Sequence, residues 1–199
     1  MGGNLMDNDN ISGIFLSKNE IKELINFRKS PLIENMIDPE IQIQPNGVDL
    51  TVERIEKFVG PGRIGFLNRD RAISKTEQLE FNDDGWIFLK PDAYKIVFNE
   101  ILNIPLDVIA IAAPRSTLLR CGVTIETAIW DAGYRGRSES LLVVLNKNGY
   151  FIRKNARILQ LIFIKIITEN AIAEGYKGRY QLENIPPLKR GLKMEEKIY

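Results

Sequence analysis

The stretch IWDAGYRGRSESLLVVLN, residues 129–146, contains the features that decide the fold and the chemistry of this chain. Asp131 leads a tight turn through Gly133, Tyr134 follows, and an aliphatic strand runs on with Glu139 near its start. A carboxylate in such a turn could activate a water molecule, and the tyrosine could pack flat against a sugar. Taken alone, the turn is more typical of an Asx-turn with a structural tyrosine. The rest of the chain has to decide between these two interpretations.

Composition excludes several classes of protein. The 199 residues, 44% of them apolar, suffice for one well-buried domain. The 27 basic and 26 acidic residues nearly cancel, which argues against a binder of nucleic acid or membrane surfaces. No apolar run approaches the roughly 18 residues of a membrane span, and no signal peptide is recognisable. The single cysteine, Cys121, fits a reducing compartment, so we expect a cytoplasmic protein.

The absence of histidine from the 199 residues narrows the chemistry further. Ser-His-Asp and Cys-His nucleophilic sites are excluded, and so is a zinc deaminase site with histidine and cysteine ligands. A base that works near neutral pH must then be a carboxylate or, less often, a lysine or a tyrosine. We expect any metal to be a hard ion held by oxygen ligands, with Mg²⁺ as the first choice.

The periodicity predicts one short helix followed by many strands. Residues 16–27 fit a helix, because Ser17 and Glu20 form a capping box and apolar residues recur on one face. Beyond the helix, β-branched and aromatic segments between turn signals predict strands at residues 48–55, 85–89, 94–102, 108–112, 141–145 and 157–167. Short strands at this spacing predict an all-β sandwich, jelly roll or barrel.

The domain organisation follows from the same pattern. We expect a flexible N-terminus over residues 1–13, a single domain over 14–173 and a C-terminal arm over 174–199. The arm holds glycine, proline and lysine with little periodicity. We therefore expect it to order on a ligand or on a neighbouring subunit.

Three further motifs carry candidate chemistry, and each also has a purely structural interpretation. In APRSTLLR, Arg115 and Ser116 could bind an anion or form a solvated turn with the serine as helix N-cap. In NGVDLTV, Asp49 could help to hold a hydrated metal or could end a strand as a polar residue. In RILQLI, Gln160 could contact a ligand or bond within the core.

Together and in order, the motifs NGVDLT, PRSTLLR, WDAGYRG and RILQLI resemble those of the trimeric dUTPase and dCTP deaminase superfamily. The resemblance covers nearly the whole chain, and the tail YKGRYQ is similar to the longer, deaminase-like branch. It implies an all-β distorted jelly roll, the dUTPase-like β-clip, with a short N-terminal helix. It also implies a homotrimer with sites between subunits and a deoxynucleoside triphosphate as the substrate, with neither nucleic acid nor membrane as a partner.

The residue ten positions beyond Asp131 decides which activity the resemblance implies. Deaminases of this superfamily are similar in a proton-shuttling glutamate ten residues beyond the aspartate of the turn. Leu141 stands at that position here, and a longer turn would bring Val143 or Val144 there instead. Glu139 could serve only if the turn were two residues shorter. The resemblance therefore implies a dUTP diphosphatase that forms dUMP and diphosphate with Mg²⁺. The alternatives are a dCTP deaminase, a bifunctional enzyme and a non-catalytic nucleotide-binding homologue.

The resemblance also assigns roles to single residues. Asp131 would activate the water that attacks the α-phosphorus, Arg115 would contact the phosphates, and Gln160 would hold a phosphate oxygen or the water. Asp49 would act on the magnesium-triphosphate indirectly, through water. The implied substrate-binding residues are Ser116, Thr117, Arg120, Ile129, Tyr134, Tyr176 and Arg179.

Three positions depart from the usual dUTPase pattern. Thr117 stands where plain dUTPases usually have glycine, and Trp130 replaces a small aliphatic residue before the aspartate. Arg120 matches the deaminase branch instead. The closing Phe-Gly-Ser/Thr arm is absent as well, so Arg179 with Tyr176 or Tyr180 would have to cover the nucleotide.

Overall fold

The structure, a computed structural model, describes residues 14–166 and 175–185. The predicted flexible segment 1–13 lies outside the described residues. So do residues 167–174, where the domain is expected to pass into the arm, and residues 186–199 of the arm itself. Within the described residues β-strand is the predominant regular structure, as the spacing of apolar segments predicts.

The helices are short and the strands are many. The described helices are α1 (Lys18–Asn26), α2 (Pro39–Gln42) and α3 (Ser116–Arg120), with a 3-10 turn at Asn68–Asp70. None of them is long and apolar enough to cross a membrane. The described strands are β1 (Ile33–Glu34), β2 (Ile43–Gln44), β3 (Gly47–Phe58), β4 (Thr76–Leu79), β5 (Trp86–Leu89), β6 (Ala93–Phe98), β7 (Ile101–Asn103), β8 (Val108–Pro114), β9 (Val123–Glu126), β10 (Arg135–Gly136), β11 (Glu139–Val144), β12 (Tyr150–Arg153) and β13 (Arg157–Lys165).

One antiparallel sheet organises the domain. Its order is β8-β13-β3-β6-β11-β9, and β2 and β4 pair with β3 outside that path. A sheet of order β1-β7-β10 and the pair β12-β5 complete the fold. The inward side chains of these strands form one hydrophobic core. The result is the predicted distorted jelly roll with a short N-terminal helix.

The N-terminal helix forms as the sequence predicts. The Ser17 side chain accepts a hydrogen bond from the backbone of Glu20, whose carboxylate accepts one in return from the Ser17 backbone, so the capping box is complete. Ile21 is buried against the sheet core. The Glu20 carboxylate also pairs with Lys165 at the end of β13, which ties the helix to the sheet.

The predicted strand over residues 94–102 is wrong as a single element, because β6 and β7 are separate strands. Glu100 interrupts them with a buried carboxyl that needs hydrogen-bond partners. It accepts bonds from the Thr51 backbone N–H at 3.0 Å, the Thr51 hydroxyl at 2.6 Å and the Gln42 amide at 2.7 Å. Burial raises the pKa of Glu100. The break between β6 and β7 therefore allows the buried carboxyl of Glu100 to reach its hydrogen-bond donors.

Two leucines in and just after β11 should differ sharply in how much their truncation destabilises the protein. Leu142 is fully buried, whereas Leu145 is 67% exposed. We expect Leu142→Ala to lower the free energy of unfolding by about 2–5 kcal/mol, through lost burial and the cavity that remains. Leu145→Ala is the matched control and should change it by less than about 0.5 kcal/mol. Denaturant unfolding measures both, and equal losses would contradict the placement of β11.

Candidate functional site

Three adjacent strands bring distant motifs into one cluster. On β13, Gln160 lies opposite Asp49 on β3 and opposite Ala113 on β8. Arg115 comes two residues after Ala113, directly beyond the end of β8. Because β13 lies between β3 and β8, residues that are far apart in sequence become neighbours here. Asp49, Gln160 and Arg115, each singled out from the sequence, therefore belong to one cluster.

Asp49 holds two guanidinium groups in this cluster. Its carboxylate is buried, and Oδ2 lies 3.2 Å from Nε of Arg115 and 3.2 Å from a terminal nitrogen of Arg157. Burial raises the pKa of Asp49, while the two arginines act in the opposite direction. The Arg115 side chain remains 34% exposed, so it can still meet a ligand. A fixed guanidinium of this kind suits a phosphate oxygen.

Helix α3 follows this cluster directly. Arg115 takes the N-cap position, so the structural interpretation of Ser116 as the N-cap is wrong. Ser116 and Thr117 are in the first turn, beside the arginine cluster, and Thr117 is exposed. Arg120 ends the helix and is exposed as well.

The second group of predicted residues lines a cavity of about 370 Å³. Asp131 is exposed at the cavity and opens a turn in which the Tyr134 backbone N–H donates to the Asp131 carbonyl at 3.1 Å. The cavity is mostly apolar with a few polar groups, which is typical of small-molecule sites. Its described lining residues are Ile73, Ala128, Ile129, Trp130, Asp131, Tyr134, Ser138, Glu139, Tyr176, Tyr180 and Glu183.

Two aromatic residues form much of the inner wall. Tyr134 is buried, and its hydroxyl donates a hydrogen bond to Oε1 of Glu183 at 2.7 Å. Burial raises the pKa of Tyr134, so the phenol stays neutral. The Trp130 indole is also buried and donates to the Ser138 hydroxyl at 2.6 Å. Trp130, which departs from the usual pattern, therefore lines the cavity without closing it.

Glu139 reaches the same cavity but is already paired. Its Oε1 lies 3.2 Å from Nζ of Lys95 and accepts a hydrogen bond from the Asn184 side chain at 3.1 Å. Leu141 follows on the same side of β11, where alternate residues are only partly buried. Leu141 does not line the cavity, whereas Glu139 does. These contacts give Glu139 a structural role in the cavity wall.

The described part of the expected C-terminal arm, residues 175–185, packs on the segment that follows Asp131. The Tyr176 backbone N–H donates to the Ala132 carbonyl at 2.8 Å, and its ring meets Tyr134 edge-on at 5.8 Å between centroids. Tyr176 thus lines the cavity. The substrate-binding role that the resemblance implies for it stays a prediction. Arg179 is exposed on the outer side of this segment and does not line the cavity.

The two groups of residues lie apart within one chain. Trp130 forms an isolated antiparallel bridge with Ala110 of β8, and Arg115 stands five positions farther along. At the usual rise per strand residue, roughly 17 Å separates these two backbone positions. Asp131, next to Trp130, is therefore distant from the arginine cluster of its own chain.

Two residues of the site escaped the sequence analysis. Arg157 contacts Asp49 because a register shift between Arg157 and Leu159 breaks the simple alternation of β13. Glu183 reaches the cavity from a segment without periodicity, so no sequence signal points to it. The only signal in the sequence is for Arg157, which is the basic residue at the start of the RILQLI motif.

Metal-binding residues are sparse in the described chain. Within residues 14–166 and 175–185, no group of three or more aspartate, glutamate, cysteine or histidine side chains could hold a metal ion. The Asp49 carboxylate forms ion pairs with two arginines.

Comparison with known proteins identifies the family. A family model described as dCTP deaminase-like matches residues 15–166. The chain belongs to this family. A probable deoxyuridine 5'-triphosphate nucleotidohydrolase from Methanococcoides burtonii is 54% identical over 170 residues, which cover 85% of this chain and 98% of the relative. A protein of the same description from Archaeoglobus fulgidus is 45% identical over 85% of this chain and 97% of its own length.

A solved structure supports the fold. The 2'-deoxycytidine 5'-triphosphate deaminase from Agrobacterium tumefaciens superposes with a TM-score of 0.57 at 20% sequence identity. The match covers 76% of this chain and 48% of the deaminase chain. At this identity the likeness concerns the fold alone.

The turn of the cavity predicts a specific requirement for glycine. Gly133 has φ +79°, and a Cβ there would lie 2.8 Å from Cα of Gly175. We expect Gly133→Ala to cost about 1–2 kcal/mol of unfolding free energy from the left-handed backbone alone. It should also loosen residues 175–185, so that trypsin cleaves faster after Lys177 and Arg179.

The matched control for this substitution is Gly60→Ala. At Gly60 the nearest atom to an added methyl group, Cβ of Lys75, would be 3.7 Å away. The control should leave both thermal unfolding and the rate of trypsin cleavage close to wild type. Equal behaviour of the two variants would contradict the close approach of the two chain segments.

Proposed function

We propose that this chain is a dUTP diphosphatase that hydrolyses dUTP to dUMP and diphosphate. The observation that carries the proposal is the contrast between two carboxylates of the cavity. Asp131 is exposed, and no cation pairs with it among the described residues, whereas Glu139 is tied to Lys95. A carboxylate without a paired cation can accept a proton from water. The relatives that are 45–54% identical over 85% of the chain, named probable dUTP nucleotidohydrolases, support the same activity.

The chemistry assigns one task to each group of the site. Asp131 takes a proton from the water that attacks the α-phosphorus, and the bond between that phosphorus and the bridging oxygen breaks to release diphosphate. Arg115 neutralises charge that develops on the phosphates, and Gln160 holds a phosphate oxygen or the attacking water. Ser116 and Thr117, beside Arg115, add hydroxyl donors. Asp49 keeps the Arg115 guanidinium in place, which is a positioning role.

Magnesium belongs to this proposal as a companion of the substrate. Bound to the triphosphate, the ion would neutralise charge on the phosphate oxygens. Asp49 would act on it through water, because its direct contacts are to arginines. The remaining polar contacts to the triphosphate would come from Arg115 and, on the exposed surface of α3, from Arg120.

The nucleoside part of the substrate would occupy the cavity. Its volume of about 370 Å³ and its aromatic wall suit a pyrimidine with its sugar. Tyr134 would pack against the deoxyribose, with Ile129 and Tyr176 on the sides. Arg179 would meet the phosphates only after the outer face of its segment turns inward.

A homotrimer is part of the proposal, because one chain separates the two halves of the site. The carboxylate of Asp131 and the guanidinium of Arg115 act on the same triphosphate only if they come together. A second copy of the chain, related by rotational symmetry, supplies the missing half at each interface. A cytoplasmic location and the lack of nucleic-acid or membrane partners complete the proposal.

A dCTP deaminase is the second candidate. It is favoured by the position of Glu139 at the cavity and opposed by the Lys95 ion pair and by Leu141. A non-catalytic nucleotide-binding protein is the third, and any measurable turnover excludes it.

Asp131 provides the direct test of the activity. Purified protein with Mg²⁺ should convert dUTP to dUMP and diphosphate, and Asp131→Asn should lower kcat roughly a hundredfold or more because the general base is lost. Separate incubation with dCTP should yield neither ammonia nor dUTP. Ion-exchange chromatography resolves the nucleotide products, and a colorimetric assay detects ammonia.

The control for this test is Asp83→Asn, an exposed aspartate in the loop between β4 and β5. It should retain wild-type kcat. Deamination of dCTP that Glu139→Gln abolishes would overturn the proposal in favour of the second candidate.

Mixing two inactive proteins tests whether the site is shared between chains. Asp131→Asn and Arg115→Ala should each be inactive alone. After the two are unfolded and refolded together, about one quarter of the sites should pair an intact Asp131 with an intact Arg115 from another copy. Recovery of about a quarter of wild-type activity is the expected result. No recovery would mean that both residues act within one chain.

A further inference from the structure

We infer that Glu183 is a positioning residue of the nucleoside cavity, through which residues 175–185 fix the orientation of the Tyr134 ring. The inference deepens the proposed function and rests on it for the identity of the ligand. Glu183 lines the cavity, and the family resemblance assigns it no role.

A chain of hydrogen bonds through the cavity wall points to Glu183. The Trp130 indole can only donate, and it donates to the Ser138 hydroxyl at 2.6 Å. Ser138 lies 3.1 Å from the Tyr134 hydroxyl, and Tyr134 donates to Oε1 of Glu183 at 2.7 Å. Each hydroxyl has one proton, so Ser138 donates to Tyr134 and the whole chain runs toward the carboxyl. Glu183 therefore supplies the terminal acceptor that the orientation of Tyr134 requires.

The segment that carries Glu183 is fixed to the cavity on both sides of it. The Leu182 backbone N–H donates to the Arg135 carbonyl at 2.7 Å, and the Arg137 backbone N–H donates to the Glu183 carbonyl at 3.0 Å. Next along the chain, the Asn184 side chain donates to the Arg137 carbonyl at 3.0 Å. These bonds present the Glu183 carboxyl to the cavity only while the segment is docked.

The charges around Glu183 make docking sensitive to pH. Burial raises its pKa to about 6, helped by nearby Glu139 and opposed by the Tyr134 hydrogen bond and Lys95. Asp131 also faces the cavity, and the other titratable groups there are the phenols of Tyr176 and Tyr180. Because the pKa of Glu183 is higher in the docked state than the ordinary 4.5, docking is favoured below about pH 4.5 and weakens as pH rises through about 6.

Tryptophan fluorescence tests the hydrogen-bond chain without any turnover. The chain has two tryptophans, and Trp86→Phe leaves Trp130 as the only reporter. We expect Trp130 emission to change with a midpoint near pH 6 in this background. Adding Glu183→Gln should remove that transition, because the amide keeps an acceptor oxygen but does not titrate. Emission curves that coincide with and without the substitution would overturn the inference, whether or not the protein hydrolyses dUTP.

Steady-state kinetics test the effect on nucleotide binding. We expect the KM of the wild type for dUTP, divided by that of Glu183→Gln, to grow from roughly fourfold at pH 5 toward a limit of roughly thirtyfold at pH 8. Comparing the two proteins at each pH cancels the titration of the triphosphate itself. Glu183→Ala, which removes the acceptor, should raise KM roughly tenfold at pH 6 while kcat changes much less.

The matched control for the kinetics is Glu23→Gln, an exposed glutamate on α1. It should show a KM ratio of one to the wild type at every pH. A ratio for Glu183→Gln that is flat from pH 5 to 8 would overturn the positioning role. Failure of the proposed function would look different, because the wild type would then leave dUTP unchanged while the Trp130 transition persisted.

Discussion

The pairing of β13 with both β3 and β8 is the constraint on which the candidate phosphate cluster depends. Gln160 lies opposite Asp49 on one side and opposite Ala113 on the other, two residues before Arg115. A slip of one residue in the β13-β3 ladder would separate Gln160 from Asp49, and a slip in the β13-β8 ladder would separate it from Ala113. The bulge that brings Arg157 to Asp49 belongs to the same ladder. The register thus decides which side chains meet.

The carboxylates of this protein show how environment divides one chemical group among several tasks. Glu100 is buried with neutral hydrogen-bond donors, Asp49 is buried between two guanidiniums, and Glu139 is tied to a lysine. Asp131 is exposed at the cavity, and Glu183 is half buried against a phenol. With no histidine in the chain, proton transfer near neutral pH falls to these groups. The surroundings of each carboxyl group, more than the number of such groups, determine whether it suits the role of a base or a structural role.

Membership of the dCTP deaminase-like family is stronger evidence for the fold than for the reaction. The distinction between hydrolysis at phosphorus and attack on the base depends on a few side chains around the cavity. Leu141 cannot transfer a proton, and the nearby Glu139 forms an ion pair with Lys95. Under the proposed function, these side chains rather than the sheet would decide between the two reactions.

The sequence alone determined the class of fold, the N-terminal helix and the motifs of the site. Alternation of apolar residues and the capping box are local signals, and local signals survive in the sequence. The sequence pattern does not predict β4, β9 and β12, because four residues give little periodicity; β5 has the same length but is predicted from its aromatic residues and the turn signals beside it. The break after β6 was also missed, since it depends on Glu100 meeting Thr51, which is distant along the chain.

For the candidate site, the sequence named Asp49, Arg115, Asp131 and Gln160 but could not group them. Only the tertiary structure separated Asp131 from the arginine cluster, because the order of strands in a sheet is not written in the order of the chain. Only the tertiary structure also placed Glu183 against Tyr134, since a segment without periodicity acquires its position from the surface on which it packs. Residue types set the available chemistry, and long-range pairing decided which of them could act together.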